Sequence, residues 1–321
     1  MYVTYTRIYG WSDYGGESSY QPGYRLENMM WMTLLVYDYI IPGDYMRKKL
    51  GMGVLFVIGF ALCCLPIIWN VIEQRHQSDA VATYQNAVSK KDDTKLKEIM
   101  ENARAYNDML YQTGGAIVDN SDTEILSDES YQNQLDISGN GTMGSLDIPK
   151  INVELPIYHG TDDAVLSNGV GHLQGTSLPI GGENTHCVLT GHRGLPSSKL
   201  LIRLDEMKKG DLFFLRIGGE TLAYKVCKIQ VVDPEDVSSL QIEAGEDLVT
   251  LVTCTPYGIN TQRLLVTGKR VEYKKAEHDS IKQELPSIRE LIFFFLPFLL
   301  AAIAIGLYLW NRRETYEDGK I

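Results

Sequence analysis

Basic charge is scarce in this chain. Its 321 residues carry 30 Lys and Arg against 41 Asp and Glu, a formal charge of −11. Phosphate backbones are held by clustered cations, and no basic stripe interleaved with aromatics is present. Nucleic acid is therefore disfavoured as a partner. Cysteine is sparse too, with five in all and no pair spaced as CxxC. That argues against a zinc ribbon or a thioredoxin-type site. Cys63 and Cys64 fall in an apolar run. Cys187, Cys227 and Cys254 remain, an odd number that leaves at least one free thiol under any pairing. No carboxylate cluster has calcium-loop spacing, so neither a metal nor another cofactor is expected. No internal repeat is visible.

Two long apolar runs are present, and neither contains Asp, Glu, Lys, Arg or His, which argues against a transport path. Residues 50–69 are twenty uncharged residues, enough to cross a hydrocarbon layer. Arg47, Lys48 and Lys49 precede them and place the N-terminal side in the cytoplasm. The competing reading is a cleaved signal. The run is longer than a signal core, and Cys63-Cys64-Leu65-Pro66 makes a poor cleavage site, so a retained anchor over 46–72 is favoured. Residues 1–45 hold nine of the 19 tyrosines and only two basic residues. They read as a poorly structured extension. Met46 and the three basic residues after it resemble a natural start, so this extension need not be translated. The second run, 291–310, ends at Asn311-Arg312-Arg313, which returns a tail of residues 311–321 to the cytoplasm. Everything between the two spans then lies outside the cell.

Residues 73–145 combine a helical stretch with a long loop. Leu96, Ile99, Met100, Ala103, Tyr106 and Leu110 recur at steps of three and four, which makes one apolar face. Residues 113–140 are polar and acidic, and loops of that length are usually functional or disordered. In residues 146–273, short apolar runs alternate with turn clusters at Gly181-Gly182, Gly210-Asp211, Gly218-Gly219 and Asp233-Pro234. That cadence predicts an all-β sandwich or barrel with a core of its own. Residues 274–290 are charged without a core pattern and read as a spacer.

The chemistry gathers at two strand ends. Residues 248–253 are β-branched and aliphatic, and Cys254 closes the run. Thr255-Pro256-Tyr257-Gly258 cannot continue a central strand. Arg263 then enters a second strand over 264–271. A thiol beside a fixed cation is a candidate nucleophile, because nearby positive charge favours the thiolate. An ordinary buried cysteine fits the spacing equally well. Elsewhere, Gly191-His192-Arg193-Gly194 puts a histidine on a turn that follows its own short strand. A Cys and a His so placed suit nucleophilic catalysis with acid–base help.

The run Thr250-Leu251-Val252-Thr253-Cys254 matches the TLxTC signature of sortases, with Arg263 nine residues on. The blocks Ile148-Pro149-Lys150-Ile151, Leu155-Pro156-Ile157-Tyr158-His159-Gly160, Gly171-His172-Leu173 and Leu189-Thr190-Gly191-His192-Arg193-Gly194 resemble those of class C, the pilus-assembling sortases. The resemblance covers roughly residues 146–273. It implies a closed, mostly antiparallel β-barrel of about eight strands, preceded by a helical segment and tethered by two transmembrane helices. It also implies a site of Cys254, His192 and Arg263. In such an enzyme Cys254 attacks the Thr–Gly carbonyl of an LPxTG-like sorting signal. His192 moves the proton, and Arg263 steadies the oxyanion. The acyl group passes to a lysine amine of a pilin. Pilin subunits and the lipid bilayer are the implied partners.

Other residues enter with alternatives open. Thr253 and Thr255 are candidates to line the substrate groove, although strand packing explains Thr253 as well. Class C relatives carry a lid with an Asp-Pro-aromatic motif, which this chain lacks. Asp128 and Tyr131 are the nearest stand-ins, and a plain linker is the competing reading. Arg193 competes with Arg263 as the cation. His159, His172 and His186 compete with His192 as the base on composition alone. Cys187 reads as a small apolar filler. Competing functions are a housekeeping-type sortase, a cysteine protease and a non-catalytic tethered β module.

Overall fold

Short β-branched and aliphatic stretches between turn residues become eight strands. They are β1 (Thr142–Ile148), β2 (Val153–His159), β3 (Val170–His172), β4 (Thr185–Thr190), β5 (Leu212–Ile217), β6 (Glu220–Val232), β7 (Asp247–Thr255) and β8 (Gln262–Val271). This computed structural model describes residues 45–114, 129–193, 200–285 and 288–318. The strands close into a barrel in the order β1-β2-β3-β4-β7-β8-β6-β5, the closed eight-strand form that the family resemblance implies. Two neighbouring pairs are parallel, β2 with β3 and β4 with β7. A parallel pair needs a crossover, since a tight turn cannot join it.

Period-two alternation sorts side chains between two apolar layers. Leu146, Ile157, Leu189, Phe213, Leu215, Leu251 and Val266 lie fully buried in the main core. A smaller cluster of Val188, Leu240, Val252 and Leu265 forms separately on β4, β7 and β8, with Leu173 and Val232 against it. The strand neighbours of its members, Leu189, Leu251 and Val266, belong to the main core. The small cluster therefore occupies the outer face of these three strands.

The helices are α1 (Tyr45–Lys90), α2 (Asp93–Thr113), α3 (Glu129–Gln132), α4 (Asp163–Asn168), α5 (Lys275–Ser280) and α6 (Ile288–Asp318). Asp92 caps α2 by accepting from Thr94 N at 2.9 Å, and Gly114 closes the helix at φ 81°. The expected apolar face packs on the barrel through Met100, Ala103 and Leu110. Asn107 adds a pair of bonds to the backbone of Leu178, 2.7 Å from its N–H and 3.3 Å to its carbonyl. Tyr84 of α1 is buried, and its hydroxyl accepts from Gly218 N at 2.9 Å.

Two expectations change. Residues 274–285, read from their charge as a spacer, dock on the barrel. His278 Nε2 meets Asp147 at 3.0 Å, and its ring packs edge-on against Phe214. Glu284 pairs with Lys150, and Arg203 donates to the Leu285 carbonyl at 2.9 Å. Ile281 also packs against Leu212, Phe214 and Ala223, but a lone apolar residue among charges leaves no periodic pattern to read. Among the described residues, one helix is long and apolar enough to cross a membrane, over Gly53–Lys90. The second apolar helix, Phe294–Trp310, is shorter, so the expected pair of spans is met by length for the first alone. Residues 1–44 and 115–128, which include Asp128, lie outside the described residues.

Candidate active site

The site is assembled by register. In β7, Val249 and Leu251 belong to the main core, while Val252 belongs to the outer cluster. Alternation therefore places Cys254 with Val252 on the outer face, at the end of the strand. Its thiol is partly exposed and is not in a disulfide. Arg263 of β8 stands directly opposite Cys254. Directly opposed residues of an antiparallel pair share a face, so guanidinium and thiol lie on the same side. Arg263 Nη1 donates to the carbonyls of Asn260 and Gln262, each at 3.2 Å.

His192 arrives through the parallel pair. Thr190 of β4 is in register with Val252 of β7. Two residues further along each chain lie His192 and Cys254. The pairing persists past the end of β4, because Gly191 N donates to the Val252 carbonyl at 3.0 Å. Thr253 Oγ1 donates back to the Gly191 carbonyl at 2.8 Å. On the other side, Leu201 N donates to the His192 carbonyl at 3.1 Å. Position 191 demands glycine, since a Cβ there would come within 2.8 Å of the Leu201 side chain. The register thus brings positions 192, 254 and 263 to one lip of the barrel.

Several sequence candidates fall elsewhere. Thr253 is 1 % exposed, so it pins the histidine-bearing strand and cannot line a groove. The Thr255 hydroxyl accepts from Arg193 Nη1 at 2.5 Å. Arg193 itself is buried, and its Nη2 pairs with Asp205. That engagement removes it from competition with Arg263, which keeps only backbone carbonyl partners among its hydrogen bonds. Sequence reasoning missed Asp205, which no motif marks. It approaches only because a 3₁₀ turn, Leu204–Glu206, folds back on the strand ends.

Tyr131, proposed as a lid residue, is a core residue instead. It is fully buried in the main cluster. Its hydroxyl lies 2.9 Å from His172 Nδ1 and accepts from Gly160 N at 3.0 Å. A phenol with such a complete set of partners is satisfied where it sits. Burial pushes its pKa far above the ordinary tyrosine value.

The competing histidines are structural. His172 Nε2 donates to the Ser177 carbonyl at 2.9 Å, which makes Nδ1 the acceptor of the Tyr131 hydroxyl. Burial lowers its pKa from 6.5 to about 4, so it stays neutral. His186 sits 2.8 Å from the Gln241 carbonyl and 2.7 Å from Thr250 Oγ1. His159 lies 2.7 Å from the Gln134 carbonyl. Burial lowers both of these pKa values as well. Cys187 is buried in the core, and desolvation raises its thiol pKa well above the ordinary value. It is the inert filler the sequence suggests. Among the described residues no group of three or more His, Cys, Asp or Glu is arranged to hold a metal.

Known proteins share this barrel. Residues 146–271 match the family model described as Sortase domain. Sortase C1 from Streptococcus agalactiae is 47% identical, with a TM-score of 0.57 over 61% of this chain and 100% of its own. Clostridium perfringens sortase C, solved with the C-terminal cell wall sorting motif, is 39% identical, with a TM-score of 0.52 over 61% of this chain and 100% of its own. Sortase D of Bacillus subtilis is 37% identical over 131 residues, 40% of this chain and 63% of that relative. The chain thus spans a little under two thirds of that curated relative's length. The chain belongs to the sortase family, and its structural neighbours are class C sortases.

Proposed function

We propose that this chain is a cysteine transpeptidase that polymerises pilins outside the cell. His192 takes the proton of Cys254, and the thiolate attacks the carbonyl carbon between Thr and Gly of an LPxTG-like signal. The Arg263 guanidinium faces the oxyanion that forms, and it stays charged at any working pH. As the C–N bond breaks, His192 passes its proton to the departing glycine amine. A thioester remains. A lysine amine of a second pilin attacks it, His192 accepts the amine's proton, and Cys254 leaves as the thiolate. The new bond is an isopeptide.

One observation carries this proposal, the register that sets Cys254 across from Arg263 and two residues past the Thr190–Val252 pair. The likeness to class C structures supports the pilin assignment over a housekeeping role. We assign residues 146–273 to catalysis, 46–72 and 291–310 to membrane anchors, and both termini to the cytoplasm. The apolar helix Phe294–Trp310 spans about 25 Å at 1.5 Å per residue, close to the hydrocarbon thickness.

The test is Cys254→Ala in cells that make the matching pilins. Pilin ladders on a denaturing gel should vanish while the protein stays at its normal level. Ladders that persist would leave only a tethering role. Product that forms without an amine acceptor would instead mark a thiol protease.

A further inference from the structure

We propose that Arg193 is a positioning residue for this reaction, locking the turn that bears His192 to the strand end that bears Cys254. The inference rests on the transpeptidase reading above. Each neighbour of His192 is tied to a neighbour of Cys254. On one side, Gly191 bonds to Val252 and Thr253. On the other, Arg193 Nη1 bonds to Thr255 Oγ1 at 2.5 Å. The second arm of the fork, Nη2, pairs with Asp205 on the 3₁₀ turn Leu204–Glu206. Three separate elements meet in one guanidinium. Only a planar fork with several donors can span two acceptors in fixed directions, which a lysine ammonium does not copy.

The arrangement is a poor device for stability alone. Arg193 is 7 % exposed, and its Nε is buried without a hydrogen-bond partner. A buried charge with an open donor carries a desolvation penalty that an aliphatic side chain of similar volume avoids. What the fork does provide is position. Misplacing an acid–base group by about 1 Å costs on the order of a hundredfold in rate. The Gly191 bonds tie the turn to β7 on one side, and the bond from Leu201 N to the His192 carbonyl ties its backbone to the segment after it. Without Arg193, the residue after His192 loses its side-chain tie to β7, and the imidazole loses that constraint on its direction.

The experiment uses the full chain in detergent, an LPETG peptide and a lysine-amide acceptor. Wild type, Arg193→Met, Thr255→Val and the double variant are compared for kcat, KM for the peptide, and Tm. Arg193→Met keeps the packing and removes the fork. We expect each single variant to lose about 10- to 100-fold in kcat, with KM within about twofold and Tm within a few degrees. The double variant should be no worse than the poorer single one, because both remove the same link. Wild-type kcat in Arg193→Met, multiplied losses in the double variant, or a loss confined to KM overturns the inference. So does a loss that tracks a fall in Tm. If Arg193→Met fails to fold, Asp205→Asn, at a more exposed position, carries the test. Its kcat must fall at unchanged KM, and wild-type kcat there overturns the inference. A wild type without Cys254-dependent turnover overturns the transpeptidase reading itself. That result is distinct from an active enzyme indifferent to Arg193.

Discussion

The barrel interior and the outer face of β4, β7 and β8 are built from alternate residues of the same strands, yet they differ in kind. Inside, the main cluster draws on every strand from β1 to β8, and Tyr131 and His172 bond to one another and to backbone within it. On the outer face of these three strands, Val188, Leu240, Val252 and Leu265 form a small buried cluster, and the strand ends beyond them carry a thiol, an imidazole and a guanidinium. The interior fixes register, because a one-residue slip would turn every core side chain outward. The outer face inherits that register and uses it. Reactive groups can occupy it because little apolar surface must be covered there.

The sharpest break in this comparison comes from Arg263→Lys. It should lower kcat by about 10²- to 10³-fold, the size of a lost oxyanion donor, and leave Tm unchanged. Steady-state kinetics with a melting curve check it, and an active variant would move the cation role elsewhere.

Acid should attack the interior rather than the outer face. His172 has a folded pKa of about 4 against an ordinary 6.5, so the unfolded chain binds more protons between those values. Stability is therefore present above pH 6.5 and lost as pH falls towards 4. His172 alone accounts for about 3 kcal/mol of that loss. His159, lowered by burial as well, acts in the same direction, as does His186 beneath the outer cluster. Denaturant midpoints at pH 7 and pH 4.5 measure the effect. A flat profile would mean that these rings are reachable by protons without unfolding.

Tyr131→Phe tests the same region at smaller scale. It leaves Gly160 N without its acceptor and His172 without its donor, a cost of about 1–3 kcal/mol by thermal or urea unfolding. Alkylation of Cys254 should keep its rate. Faster alkylation would return Tyr131 to a role at the site.

The smallest effect concerns the loop. Removing residues 119–128 leaves Tyr131 in place and should speed alkylation of Cys254 a few-fold if Asp128 and its neighbours cover the thiol. An unchanged rate would dispose of the lid.

The parts of this site visible beforehand were those set by local rules. Cys254 before Thr255-Pro256 and His192 between two glycines announce strand ends by backbone chemistry alone. Arg263 follows from a hairpin, where register depends on near neighbours in sequence. Thr253 and Tyr131 were misplaced for the opposite reason. Which side of a strand a threonine faces, and what a lone tyrosine reaches, depend on segments distant in the chain. Tyr131 meets His172 across 41 positions, and Arg193 reaches Thr255 across 62.

By itself, the sequence determined the strand-and-turn cadence, the apolar run that begins near residue 50, and which sulfur, imidazole and guanidinium fall at strand ends as candidates for the chemistry. Those are statements about single residues and their immediate neighbours, which propensity and patterning govern. Only the tertiary structure decided which histidines are buried and silent, where the stretch after residue 273 docks, and that Arg193, Asp205 and Thr255 converge beside the thiol. Such meetings depend on barrel closure, which brings together segments that no local rule relates.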